Sequence, residues 1–155
     1  MIFIWRDEKI IMYESIKRIN EIFENKISDI NIETINKEYE AAKFIFQDEN
    51  YYFRKVKKTP KKSGYFVAVY KTEEKNMPLN YTDSIDKLIL YVLDGAKEGY
   101  FVFDKDTLLN NGILSFENKK GKMAFRVYPN WVNDLNSTAK KTKTWQIEHF
   151  FEIKK

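Results

Sequence analysis

The chain contains no cysteine, which removes disulfides, zinc–thiolate sites, iron–sulfur clusters and cysteine nucleophiles together. Histidine is nearly absent as well: His149 stands alone, so no site can be built from two histidine ligands. A serine triad would have to use that one ring, and neither Ser63 nor Ser115 lies in a nucleophile-elbow pattern. Within Trp145-Gln146-Ile147-Glu148-His149-Phe150-Phe151 a satisfied, partly buried imidazole is the simpler reading. Five glycines, at positions 64, 95, 99, 112 and 121, are too scattered to make a phosphate-cradling loop. Long apolar runs are missing too. Met1-Ile2-Phe3-Ile4-Trp5 is broken by Arg6-Asp7-Glu8-Lys9, short of the roughly 7–15 residues of a secretory core, and nothing approaches the ~20 of a membrane span. The expectation is a cytoplasmic protein without a membrane segment, needing no cofactor.

What is present is a globular composition with segregated charge. A chain of 155 residues that is 43% apolar and 16% aromatic is long enough for one domain with its own core and short for two. No repeat, low-complexity tract or linker divides it, so residues 1–155 read as a single domain, favoured as a monomer. Arg54 to Lys71 holds seven Lys or Arg residues and no acid, and Asn118 to Ile147 holds seven more against one acid, Asp134. Together these stretches carry +13, and a net charge of +4 for the whole chain leaves −9 on the rest. Both are interleaved with Tyr, Phe and Trp, the composition of a surface that meets a polyanion.

Periodicity gives the elements. Met12, Ile16, Ile19, Ile22 and Phe23 recur at helical spacing and predict an amphipathic helix over 10–25. Phe44-Ile45-Phe46 and Tyr51-Tyr52-Phe53, separated by Gln47-Asp48-Glu49-Asn50, predict a hairpin. Tyr65 to Tyr70, apolar on both faces, reads as a central strand, and residues 72–84 as a connection. Leu88 to Leu93 fits a buried strand or a helix; Asp94-Gly95 and the aromatic run Tyr100 to Phe103 favour paired strands. Asp104 predicts a helix cap and Asn110-Asn111-Gly112 a stop. Ile113 to Phe116 and Met123 to Tyr128, flanking Asn118 to Gly121, predict a second hairpin, and Trp145, Ile147, Phe150 and Phe151 a C-terminal helix. The fold class expected is α+β, with a largely antiparallel sheet packed against an N-terminal and a C-terminal helix.

The basic residues supply the candidate site. If 51–58 is a strand, Arg54 and Lys58 share one face and Lys55 and Lys57 the other, so only one set could meet a ligand. Lys61 and Lys62 stand in a turn with Gly64, where free backbone N–H groups can join two ammonium groups around an anion; the alternative is an edge strand guarded by lysines. Alternation over 122–128 puts Lys122, Ala124, Arg126 and Tyr128 on one side and Met123, Phe125 and Val127 in the core. Lys120 precedes that strand. Tyr128 and Trp131 can stack on bases or cover core, with the rim role favoured for Trp131. Lys140, Lys141 and Lys143 stand at the entrance of the last helix, where cations oppose the macrodipole unless an anion is bound.

The strings Phe53 to Val67, Gly99 to Phe103, Lys120-Gly121-Lys122 through Arg126-Val127-Tyr128-Pro129-Asn130-Trp131, and Lys143-Thr144-Trp145-Gln146 resemble the MepB family of small bacterial proteins. The resemblance covers residues 36–153 in order and spacing, leaving 1–35 as an N-terminal helical segment. It implies a family named for a member encoded beside a multidrug efflux pump, and a nucleic-acid-binding role related to restriction-endonuclease-like folds. A nuclease of that type uses two carboxylates and a lysine. Glu117-Asn118-Lys119 and Glu73-Glu74-Lys75 have the spacing, with Glu38, Glu40, Asp83, Asp86 or Asp94 as distant partner, but both lie in turn sequences.

The leading expectation is a non-catalytic module that binds DNA or RNA. Its nucleic-acid or anion contacts would be Arg54, Lys57, Lys61, Lys62, Lys120, Lys122, Arg126, Lys140 and Lys143, with Tyr70, Tyr128 and Trp131 stacking, and no metal site. The alternatives are a pocket for a small anionic or aromatic ligand, walled by Tyr65, Tyr70, Tyr128 and Trp131, and the metal-dependent nuclease.

Overall fold

In the computed structural model, which describes residues 12–154, the chain reverses after Phe46 in two residues, Gln47 and Asp48, with φ of 52° and 62°. Two successive left-handed residues give the turn whose twist matches that of paired strands, and the aromatic runs on either side pair across it. In chain order the elements are helix α1 (Glu14–Ile22), β1 (Ser28–Ile32), β2 (Ala42–Phe46), β3 (Glu49–Lys55), β4 (Lys57–Lys58), β5 (Tyr65–Ala68), β6 (Lys71–Thr72) and β7 (Asn76–Met77). There follow β8 (Lys87–Asp94), β9 (Lys97–Asp104), α2 (Lys105–Asn110), β10 (Ala124–Val127), α3 (Ser137–Gln146) and β11 (Phe150–Glu152).

Six strands form the main sheet in the order β1-β2-β3-β8-β9-β11. All its pairs are antiparallel except β3 with β8. That parallel step requires a crossover: after Val56, whose N–H still donates to Tyr91 O at 3.0 Å, the chain leaves the sheet and builds β4 to β7. β10, β5 and β4 make a second, three-stranded sheet, with β5 at its centre.

Leu88 to Val92 are buried on both faces of the main sheet, which explains why that run reads as continuously apolar, while Leu93 at its end is 43% exposed. Leu88, Leu90 and Val92 face a core shared with Val67, Val69, Phe101, Phe103, Leu108 and Val127. Ile89 and Tyr91 face the opposite core, with Ile16 and Ile19 of α1, Phe44 and Phe53. Fully burying one such side chain contributes about 1.5–3 kcal/mol, so β8 anchors both layers.

Three expectations are corrected. The first helix ends at Ile22 because Glu24 and Asn25 take left-handed backbone (φ 59° and 61°); residues 10 and 11 of the predicted span lie outside the described residues. Ile113 to Phe116 does not pair with Met123 to Tyr128. Ser115 N–H donates to Leu79 O and Tyr81 N–H to Ser115 O, both at 2.8 Å, while β10 pairs with β5. Met123 accordingly precedes the strand and is 39% exposed, whereas Phe125 and Val127 are core as expected. Finally, the last helix lies earlier than predicted: α3 stops at Gln146, a 3₁₀ turn covers 147–149, and Phe150 to Glu152 add an edge strand to β9. Among the described residues no helix is long and apolar enough to cross a membrane.

Candidate nucleic-acid interface

Two walls meet at one groove. The first is the loop Thr59–Gly64 between β4 and β5. Gly64 has φ +79°, and a Cβ there would lie 2.6 Å from the Tyr128 ring and 2.8 Å from Val127 O, so only glycine lets Tyr128 rest on the loop backbone. Arg126 gathers the loop's acceptors. Its Nη2 donates to Thr59 Oγ1 (2.8 Å) and to the carbonyls of Lys62 (3.3 Å), Ser63 (3.0 Å) and Gly64 (3.3 Å), and its Nε to Ser63 O (3.2 Å). With the carbonyls drawn to one guanidinium, the backbone N–H groups of Lys61, Lys62 and Ser63 have no acceptor among the described residues. The Lys61 and Lys62 side chains are exposed and form no ion pair there.

The second wall is the N-terminal turn of α3. Asn136 caps it, its side chain accepting from Ala139 N–H at 2.9 Å, and no acid stands in the first turn. Ser63 Oγ donates to Asp134 O at 3.3 Å and ties the walls together. Between them lies a groove of about 370 Å³ lined by Lys61, Lys62, Arg126, Tyr128, Thr138 and Asp134, with further contacts from the same segments. Asp134 is its single acid among the described residues.

A buried amide fixes the angle of α3. Gln146 is fully buried; Tyr128 N–H donates to its Oε1 and its Nε2 donates to Arg126 O, both at 2.9 Å. The side chain thus takes the place of a neighbouring strand beside β10. Sequence reasoning missed this role, and the only signal for it is an amide among the apolar residues of the last helix.

The predicted site residues divide. Lys61, Lys62, Arg126 and Tyr128 come together at the groove, and Lys140 follows one turn along α3, exposed and without an ion pair among the described residues. Lys120 and Lys122 are exposed on the segment leading into β10, also unpaired there, and do not line the groove. Arg54 is not on the surface at all: it is 1% exposed and paired with Glu33 at 3.2 Å. Lys57 lies 3.7 Å from Glu38 and over the Tyr39 ring. Lys143 turns inward, donating to Val132 O (2.7 Å), Asn130 O (3.4 Å) and Asn133 Oδ1 (3.1 Å).

Among the rings, Tyr128 is 7% exposed against Gly64, and Tyr70 lines a different cavity beside Arg54. Trp131 packs edge-on against Tyr65 and Phe150 and donates its indole N–H to Tyr65 Oη at 2.9 Å. Tyr65 in turn donates to Asp94 (2.8 Å), which also meets Lys58 (3.4 Å). Burial pushes the Tyr65 phenol up to about 12, and the Tyr65 hydroxyl holds Asp94 below the usual carboxylate value. Tyr65, Tyr70, Tyr128 and Trp131 therefore do not wall one pocket.

The nuclease candidates stand apart as well. Glu117 has φ +53° in the turn closed by Phe116 and Lys119, and Glu73 to Lys75 form the tip between β6 and β7. Glu73 and Asp83 are both paired with Lys71. Among the described residues no three acids or histidines are grouped to hold a metal.

The model of the MepB-like family matches residues 33–152. The chain belongs to the MepB-like family. The crystal structure of MepB resembles it at 41% identity, with a TM-score of 0.83, over 93% of this chain and 99% of that one. No curated protein matches. Both groove walls, the capping Asn136 and the buried Gln146 fall inside the MepB-like span, which begins just after β1 and ends at the last residue of β11.

Proposed function

We propose that this MepB-like chain is a cytoplasmic nucleic-acid-binding module that holds the sugar–phosphate backbone in the groove between the Thr59–Gly64 loop and the start of α3. One observation carries the reading: Lys61 and Lys62, which form no ion pair among the described residues, the backbone of residues 61–63, whose N–H groups have no acceptor among them, and the N-terminal turn of the ten-residue helix α3 line one groove. Features of these kinds attract anions, and together they offer both charge and hydrogen-bond donors. Lys61 and Lys62 make the primary contacts, Lys140 lies next along α3, and Lys120 and Lys122 serve phosphates beyond the groove. Arg126 and Lys143 act through the loops they hold. Contacts of this kind position a strand without reading its bases, so discrimination between sequences is weak.

The test is fluorescence anisotropy with labelled single- and double-stranded DNA and RNA, comparing the wild-type chain with K61Q/K62Q. The double variant should bind about tenfold or more weakly at about 50 mM salt. Equal affinity of the two proteins would defeat the assignment of the groove. Orthophosphate that bound more tightly than any oligonucleotide would point instead to a small anion. With Mg²⁺ or Mn²⁺ present the strands should remain intact, and cleavage would restore the nuclease reading.

A further inference from the structure

A second cavity, of about 290 Å³, lies between the main sheet and the β6–β7 segment and is lined by Glu33, Tyr52, Arg54, Tyr70, Lys71 and Asp83, among others. Its central feature is the guanidinium of Arg54, on a residue that is 99% buried. Three bonds fix it: Nε donates to Ala68 O (3.2 Å), and Nη1 to Phe53 O (2.9 Å) and Glu33 Oε1 (3.2 Å). Nη2 has no acceptor among the described residues. Nor is it sealed off, because Asn36 Oδ1 is the one buried side-chain polar atom left without a partner among them. An immobilised guanidinium with a free donor edge, opening on a polar cavity, is arranged to take a carboxylate in a charge-assisted bond at little entropic cost.

The same cavity offers an opposite pole. Lys71 Nζ is held between Asp83 Oδ1 (2.8 Å) and Glu73 Oε2 (2.9 Å), while Asp83 Oδ2 accepts from Asn80 N–H (2.7 Å). Lys43 sits 4.5 Å above the Tyr52 ring. The cations Lys43, Arg54 and Lys71 are thus matched by Glu33, Glu73 and Asp83, all on the lining. A polyanion gains nothing from a balanced site, and an isolated cation gains nothing either. A molecule carrying one charge of each sign fits it. The volume of about 290 Å³ falls just below the usual range for organic ligands, about 300–1,000 Å³, and suits an amino acid rather than a nucleotide.

We propose that this cavity binds a small zwitterion of amino-acid size, its carboxylate on Nη2 of Arg54 and its ammonium toward Asp83 and Glu73, with Tyr52 and Tyr70 as side walls. The site is separate from the groove, and binding at one does not require the other.

The experiment is calorimetric titration of the full chain with each of the twenty standard amino acids at concentrations up to about 10 mM. At least one should bind. Its decarboxylated amine and its N-acetyl derivative should bind at least about tenfold more weakly, since each lacks one charge. E73Q, altering a solvent-facing residue, should weaken binding several-fold with the fold intact, and R54K should abolish it. K61Q/K62Q should leave it unchanged. If R54K does not fold, the two ligand analogues on the wild-type chain still decide the matter. No amino acid bound, or single-charge analogues bound as tightly as the parent, would overturn the proposal.

Discussion

Gly64 is the tightest point of the groove wall. Replacing it by alanine introduces strain at φ +79° and a contact of 2.6 Å with the Tyr128 ring. The expected loss is roughly 1–3 kcal/mol for the backbone strain alone, read as a lower denaturation midpoint with the groove opened. Gln146 is the other sensitive position. Gln146→Leu keeps the volume but strands Tyr128 N–H and Arg126 O, at roughly 1–3 kcal/mol for each stranded group, and chemical denaturation checks it. Titration behaviour follows from Tyr65 and Asp94. The Asp94 carboxyl is depressed in the folded chain, chiefly by the Tyr65 hydroxyl, so its stabilisation is complete above the unfolded value of about 3.9 and disappears as pH falls through the folded one. The Tyr65 phenol is raised to about 12, chiefly by burial, so its contribution holds below the unfolded value of about 10 and is lost as pH rises toward the folded one. Stability measured against pH should therefore drop at both ends, and Tyr65→Phe should flatten both limbs.

At the level of elements, local chemistry and tertiary pairing separate cleanly. The β2–β3 hairpin, the β8–β9 pair and the Asp104 cap, whose side chain accepts from Thr107 N–H at 2.8 Å, rest on neighbouring residues and are legible in the sequence. The pairing of Ser115 is not, because its partners, Leu79 and Tyr81, lie more than thirty residues away, and only Phe116 with Lys119 and Ile113 with Lys122 are local. The C-terminal strand is hidden for a related reason. Gly99 lacks the Cβ that would overlap the Phe150 ring and Phe151 O, so β11 can lie close against β9, yet in a chain read alone the apolar spacing of 145–151 is equally helical. Gly99→Ala should detach β11, seen as loss of amide protection at Phe150 to Glu152 while β8 and β9 stay protected.

Across the whole molecule, the fold partly undoes the charge segregation seen along the chain. Glu33, Glu38 and Glu40 precede the first basic stretch and come back beside it, pairing with Arg54, Lys57 and Lys55. Arg54 and Arg126, phosphate contacts by charge alone, instead commit donors to the fold, Arg54 to Ala68 O, Phe53 O and Glu33 and Arg126 to the Thr59–Gly64 loop. Lys61, Lys62, Lys119, Lys120, Lys122, Lys140 and Lys141 keep their charge uncompensated among the described residues. Composition thus counts the cations but does not tell which of them stay unpaired once the chain folds. The most direct measurement is the dependence of oligonucleotide affinity on salt for the wild-type chain and for K61Q/K62Q. The account predicts a linear fall of log K with log salt, and a slope shallower in the variant by about 1.4–1.8, the contribution of two phosphate contacts. Parallel lines for the two proteins, or affinity indifferent to salt, would contradict it.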